Sequence, residues 1–280
     1  MKKLIIALLF IFSFQITHAQ TVESRQGRKY PPKSLKKHHR ANHKKHRSRV
    51  RLMGANELSY QEKKEGWQLL FDGKTTDGWR GAYADGFPES GWLVQDGTLT
   101  VSRSGGAESV TFGDIVTMAE YGDFELKFDF KLTEGASSGV KYFVVEHQPK
   151  PEGAAYGLEF QVLDDARHPD AKLGRDGNRT VASLYDLKAT QDKTTNPIGT
   201  WNSGMVRSKG ALVEHWLNGK QVLNYERGGE EFRKMVSMSK YAAPSYNTNG
   251  RFGEATKGHI LLQDHGDQVQ YRNVKIRVLK

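Results

Sequence analysis

The chain has 280 residues, with 42 Lys or Arg against 32 Asp or Glu, a formal net charge of +10 and no cysteine. The lack of thiols excludes disulfides, thiol catalysis and thiolate metal sites, so core burial must hold the fold together. The charge is unevenly spread: residues 24 to 51 hold 12 basic side chains and no acidic one, whereas residues 52 to 280 carry 28 basic against 31 acidic. The excess of positive charge thus belongs to one short segment.

The first element is "MKKLIIALLFIFSFQITHAQ", with Lys2 and Lys3 ahead of an apolar stretch from Leu4 to about Phe14 and a small-residue site at Thr17-His18-Ala19. The apolar core is shorter than the roughly 18 residues that a retained span requires, so residues 1–19 read as a secretory signal peptide. The expected location is periplasmic or extracellular. Residues 20–57 follow as a basic linker, expected to be disordered because it has too few apolar side chains to offset its conformational entropy. Such a block can bind polyanions, and His38, His39, His43 and His46 can gather a metal. No Phe, Tyr or Trp is interleaved from Lys33 to Arg51 for base stacking. The expectation is a spacer that contacts an anionic envelope surface, with no nucleic acid as partner.

Residues 58–280 form the globular part, a length that suits one domain. "WLVQDGTLTVS" and "ALVEHWLNGKQVLNYE" carry Asp96-Gly97 and Asn218-Gly219 between short runs, the signature of two-residue hairpin turns. "DFELKFDFKL" alternates cleanly, with Phe124, Leu126, Phe128, Phe130 and Leu132 on one face. "GVKYFVVEH" puts Lys141, Phe143 and Val145 on one face and Tyr142, Val144 and Glu146 on the other. "EEFRKMVSMSKY", near 230 to 241, is the one convincing helical pattern, and "HILLQDHGDQVQYRNVKIRVL" adds two more strands around a turn. Many antiparallel strands with Gly-rich turns and one short helix predict an all-β fold, an antiparallel β-sandwich of jelly-roll type.

Several strands carry polar groups on the face opposite the core. In "GLEFQVLDD", Leu158, Phe160 and Val162 share one face, and Glu159 and Gln161 share the other. Glu214 lies beside Trp216 in "LVEHWLNG", and His259 beside Gln263 in "HILLQDHG". Taken together these predict a polar, aromatic-lined groove for a sugar, which presents an apolar ring face and a hydroxyl rim.

Eight segments, among them "GWQLLFDGKTTDGWRG", "SSGVKYFV", "GLEFQVLDDARHPDAKLGRDGNRTVASLYDL", "GTWNSGMV" and "GHILLQDHGDQVQYRNVKIR", resemble in order and spacing the 3-keto-disaccharide hydrolase family, exported jelly-roll domains of concanavalin- or glucanase-like fold. The resemblance spans about Gly66 to Lys280. It implies cleavage of a glycosidic bond in a 3-keto-disaccharide or 3-keto-glycoside, a substrate pre-oxidised by a separate oxidoreductase. A C3 ketone acidifies the C2 proton, so a base can remove it, an electrophile can hold the enolate oxygen, and the C1 substituent leaves by β-elimination. Adding water to the product gives net hydrolysis.

Such a site needs a base, an oxyanion stabiliser and an acid. Glu159 is the candidate base or metal ligand, since burial on a strand face raises a carboxyl pKa. His265, on the loop in "LQDHG", can be acid, base or ligand. Lys141 can hold the enolate oxygen. Gln161, Trp216, Glu214, Gln263, Tyr185 and Arg175 are the expected substrate contacts. Asp164 and His168 are expected ligands for a divalent metal, Ca, Mn or Zn, and no organic cofactor is called for. Two alternatives remain open. Glu159, Gln161 and Asp164 resemble the strand motif of retaining β-glucanases, with an amide in place of the middle acid. The same fold can also serve as a non-catalytic carbohydrate-binding module, with Trp216, Tyr185 and Trp201 as platforms.

Overall fold

The computed structural model describes residues 54–104, 113–148, 150, 155–247 and 250–280. The expected signal peptide at 1–19 and the linker up to residue 53 lie outside the described residues. The folded body begins earlier than Leu58, because Asn56 is buried. Its backbone N–H donates to Asn273 Oδ1 at 2.6 Å, its side-chain oxygen accepts the Asn273 N–H at 2.7 Å, and its amide donates to Gly97 O at 2.8 Å.

In chain order the strands are β1 (Gln68–Leu69), β2 (Trp79–Gly81), β3 (Trp92–Gln95), β4 (Thr98–Val101), β5 (Ile115–Thr117), β6 (Phe124–Leu132), β7 (Ser137–Val145), β8 (Tyr156–Leu163), β9 (Trp201–Lys209), β10 (Leu212–Leu217), β11 (Lys220–Glu226), β12 (His259–Leu262) and β13 (Val269–Val278). An eight-stranded sheet runs β11-β10-β9-β6-β13-β4-β3, with β1 also paired to β13, and a five-stranded sheet runs β2-β5-β12-β7-β8. The two antiparallel sheets form the predicted sandwich. The hairpin signals act as expected: Asp96 and Gly97 have φ of 51° and 72°, Asn218 and Gly219 50° and 81°, the left-handed pair that a tight hairpin turn needs.

The core lies between the sheets. Phe124, Leu126, Phe128 and Phe130 of β6 meet Tyr142, Leu158 and Phe160 of the smaller sheet. Phe128 and Phe160 make an edge-to-face contact at 5.2 Å. His215 belongs to this core. Its Nδ1–H donates to Ala182 O at 2.9 Å and its Nε2 accepts from Tyr142 Oη at 2.7 Å, and burial pushes its pKa down to about 4.

The alternation expected for β7 fails at one place. The register slips between Tyr142 and Val145, where Phe143 takes φ 54°, so Tyr142 and Phe143 both enter the core and Val144 joins Leu261 and Ala155 in a separate outer cluster. A bulge, invisible to a period-2 reading, sets which side chains reach the groove. The helix near 230 is also shorter than its pattern: α2 covers Glu230–Ser237, and a 3-10 turn, Lys240–Ala242, follows under a Ser239 cap. A second helix, α1 (Tyr60–Lys64), starts on a Ser59–Glu62 capping box.

Candidate active site

The outer face of the smaller sheet is not open to solvent. Residues 182–185 run beside β8, with Ala182 N–H donating to Gln161 O at 2.8 Å and Tyr185 N–H to Glu159 O at 3.1 Å. This covers the edge of β8 and sets Tyr185 beside Glu159. A cleft results, lined by Ser137 and Lys141 of β7, Glu159 and Gln161 of β8, Asp170, Tyr185, Lys240, Tyr246, and Gln263 and His265 after β12. A second cavity adjoins it, lined by Val145, His147, Arg251 and Phe252, and shares Tyr156, Gly157 and Tyr246 with the first.

Glu159 stands at the centre and is 5% exposed. Burial pushes its carboxyl above the ordinary range. Lys141, Lys240 and His265 oppose that rise, and the Asp114 carboxylate adds to it. Lys141 sits directly across the strand pair from Glu159. Its Nζ lies 3.7 Å from Asp114 Oδ2 and 3.4 Å from Ala155 O. Asp114 is itself buried, with Oδ1 accepting the Asp264 N–H at 2.9 Å and Oδ2 making no hydrogen bond; desolvation pushes its carboxyl up.

The opposite wall is a hydrogen-bonded frame. Tyr185 Oη donates to Asp170 Oδ2 at 2.8 Å, and Arg179 bridges Asp170 Oδ1 at 2.9 Å and Asp186 Oδ1 at 2.7 Å. Burial pushes the Tyr185 phenol well up, so it stays protonated and serves as a donor.

At one end, His168, His265 and Asp267 offer ligand atoms within 4.8 Å of one another. Two imidazoles and a carboxylate suit zinc or manganese better than calcium. Desolvation first, and His265 next, hold His168 below its ordinary pKa, which favours the neutral ring that a metal needs. The His168 Nδ1 accepts the Asp170 N–H at 3.2 Å, so its proton sits on Nε2; ligation requires this ring to give up that bond or that proton.

Residues 66–277 match the sequence family described as the 3-keto-alpha-glucoside-1,2-lyase-like domain. The chain belongs to this family. A 3-keto-disaccharide hydrolase of Bacteroides thetaiotaomicron is 35% identical over 230 residues, spanning 77% of this chain and 79% of that protein. A candidate glycosyl hydrolase from Parabacteroides distasonis ATCC 8503 is similar in structure, at 31% identity and a TM-score of 0.68 over 81% of this chain and 100% of that one. A second from the same organism reaches 25% identity and 0.56, over 76% and 99%. The function is thus of glycosidase type.

Within this lyase-like domain the fold gathers Lys141, Glu159, Gln161, Tyr185, Gln263 and His265 around one cleft. Five expected residues are elsewhere. Trp216 and Glu214 lie on the outer face of the larger sheet, because the alternate residues Val213, His215 and Leu217 are buried; Trp216 Nε1 donates to Glu214 Oε2 at 3.3 Å and Arg207 stands 3.6 Å from the same oxygen. Arg175 is exposed and does not line the cleft; its Nη1 lies 3.4 Å from Met238 Sδ. Asp164 is buried as a turn carboxylate, accepting N–H groups of Gly135 at 2.9 Å and Ala166 at 3.1 Å, and Asp267 stands beside His168 in its place. Trp201 is covered by Lys131 and Arg272.

Sequence reasoning missed Lys240, Tyr241, Tyr246, Tyr156 and Asp170. The available signal was a cluster of Tyr and Lys around a Pro in "SKYAAPSY", immediately after a helix, where a loop can carry function.

Proposed function

We propose that this domain cleaves the glycosidic bond of 3-keto-disaccharides or 3-keto-glycosides by removing the C2 proton and eliminating the C1 substituent, with water addition completing net hydrolysis. The observation that carries this reading is Glu159: a buried carboxyl facing the cleft, raised above the ordinary glutamate range by desolvation, with Lys141 and Lys240 lining the same cleft. Glu159 takes the C2 proton. Lys141, held beside Asp114, receives the charge that develops on the enolate oxygen. Gln161, Gln263 and Tyr185 bind hydroxyls, and the Tyr156 and Tyr246 rings give an apolar surface to a sugar face.

His168, His265 and Asp267 would hold a divalent cation, which when bound would supply Lewis-acid polarisation of the C3 oxygen. The reading also places the enzyme outside the cytoplasm, fed by an oxidoreductase that makes the 3-keto sugar, with the basic segment against an anionic envelope surface.

Retaining hydrolysis of unoxidised sugar is disfavoured because Asp164 is tied into its turn and Asp170 is committed to Tyr185 and Arg179, which leaves Glu159 without the second carboxyl that mechanism uses. A pure binding module has no need of a buried, raised carboxyl. The test is to incubate the purified protein, with and without chelator, with a 3-keto-disaccharide and its unoxidised parent, and to run Glu159→Gln alongside. Cleavage of the keto sugar alone, abolished in Glu159→Gln, is expected. Equal cleavage of the parent overturns the reading in favour of a glucanase-like enzyme, and binding of both without cleavage overturns it in favour of a lectin-like module.

A further inference from the structure

Two ammonium groups line the cleft, and their surroundings differ. Lys141 faces the Asp114 carboxylate. Lys240 has no carboxylate at ion-pairing distance among the described residues. Its Nζ lies instead over three rings, 4.4 Å from the centroid of Tyr185, 5.3 Å from Tyr241 and 5.8 Å from Tyr246. Its backbone is pinned, since Lys240 N–H donates to Asp186 Oδ2 at 2.7 Å and the other Asp186 oxygen is held by Arg179.

The position of Lys240 along the cleft matters as much as its partners. Tyr246 faces Tyr156 at 4.7 Å, and these two with Gly157 line both cavities, forming the partition between them. A sugar seated over Glu159 with its leaving group in the adjoining cavity must carry its glycosidic oxygen across that partition. The Lys240 ammonium stands next to it, over the Tyr246 ring. The elimination needs an acid there, and His265 is a poor choice when its ring belongs to a candidate metal triad. Arg251, in the adjoining cavity, does not give up a proton at ordinary pH.

We propose that Lys240 is the catalytic acid, delivering its proton to the glycosidic oxygen as the C1–O bond breaks; this rests on the elimination reading above. The C2–H electron pair becomes the C1=C2 double bond, and the C1–O pair stays with the departing oxygen, which takes the Lys240 proton. Glu159 holds the C2 proton. When water adds at C1, its spare proton returns Lys240 to the ammonium form and Glu159 gives its proton back to C2, so both groups are restored. Lys240 is exposed as a whole residue, but its ammonium lies over the three rings, and desolvation there holds it below the ordinary lysine range; Glu159 and Asp186 oppose that shift, and Lys141 and Arg179 reinforce it.

The test compares leaving groups. Wild type, Lys240→Met and Lys240→Arg are assayed on a 3-keto-disaccharide and on 4-nitrophenyl 3-keto-glucoside, whose nitrophenolate departs without a proton. Both variants are expected to lose about 10²- to 10⁴-fold in kcat on the disaccharide and less than about tenfold on the nitrophenyl substrate, because arginine keeps the cation but does not release a proton. Equal losses on both substrates, or full disaccharide activity in Lys240→Arg, overturn the proposal in favour of a structural or purely electrostatic role. A wild-type protein inert on both keto substrates overturns the elimination reading and this inference with it, a result visible before any variant is made.

Discussion

A Cβ built on Gly139 would lie 2.3 Å from Glu159 Oε1 and 3.1 Å from Gln263 Oε1. Gly139 is one step along β7 from Val140 and pairs with Gln161, so its missing side chain is the space into which the Glu159 carboxylate folds. The Glu159 carboxylate owes its position to a neighbour that has no side chain.

Gly139→Ala is therefore expected to displace the carboxylate while leaving the sandwich intact. Overpacking of this kind costs about 1–3 kcal/mol, and a misplacement of about 1 Å can cost on the order of 100-fold in rate. Thermal unfolding and kcat on the keto substrate, measured together, separate the two effects; unchanged kcat would show that Glu159 is not the base.

Glu159→Gln is expected to abolish cleavage and to raise stability near neutral pH. The sign follows from linkage: with its folded pKa raised above 4.5, Glu159 binds more protons in the folded than in the unfolded protein, so its ionisation removes stability as pH rises through that interval. The gain in Tm over wild type should shrink toward about pH 4, where both states hold the proton.

For the same reason the acid limb of kcat/KM should lie above the ordinary glutamate range, with activity rising as Glu159 ionises. A pH profile on the keto disaccharide checks this, and a limb at the ordinary glutamate value would count against a desolvated base.

Zinc or manganese titration followed by calorimetry tests the triad. His168→Ala and His265→Ala should each weaken binding by more than about tenfold. Asp164→Asn should leave it unchanged while costing about 1–3 kcal/mol of stability through the N–H groups it now satisfies.

Trp216→Ala should leave activity within about twofold of wild type, as expected for a surface site remote from function, because its ring lies on the outer face of the larger sheet. A large loss of substrate affinity would instead bring that face into the binding surface.

Much of this protein was legible in its residues taken in order. Period-2 runs and the Asp96-Gly97 and Asn218-Gly219 pairs determine antiparallel strands and tight hairpins by local sterics and by the need to bury one face, and they place Glu159 and Gln161 opposite the core without reference to distant segments. What the tertiary structure alone decided is which polar faces meet. Glu159 and Glu214 look alike in sequence, each beside a buried alternation, yet one strand lies under the segments 164–188 and 238–247 and the other faces outward on the far sheet. The bulge at Phe143, the exchange of Asp164 for Asp267 beside His168, and the arrival of Lys240 over three tyrosines all depend on contacts between segments tens of residues apart. Strand periodicity encodes a side chain's direction relative to its own sheet, but it carries no information about which loop will close over that face.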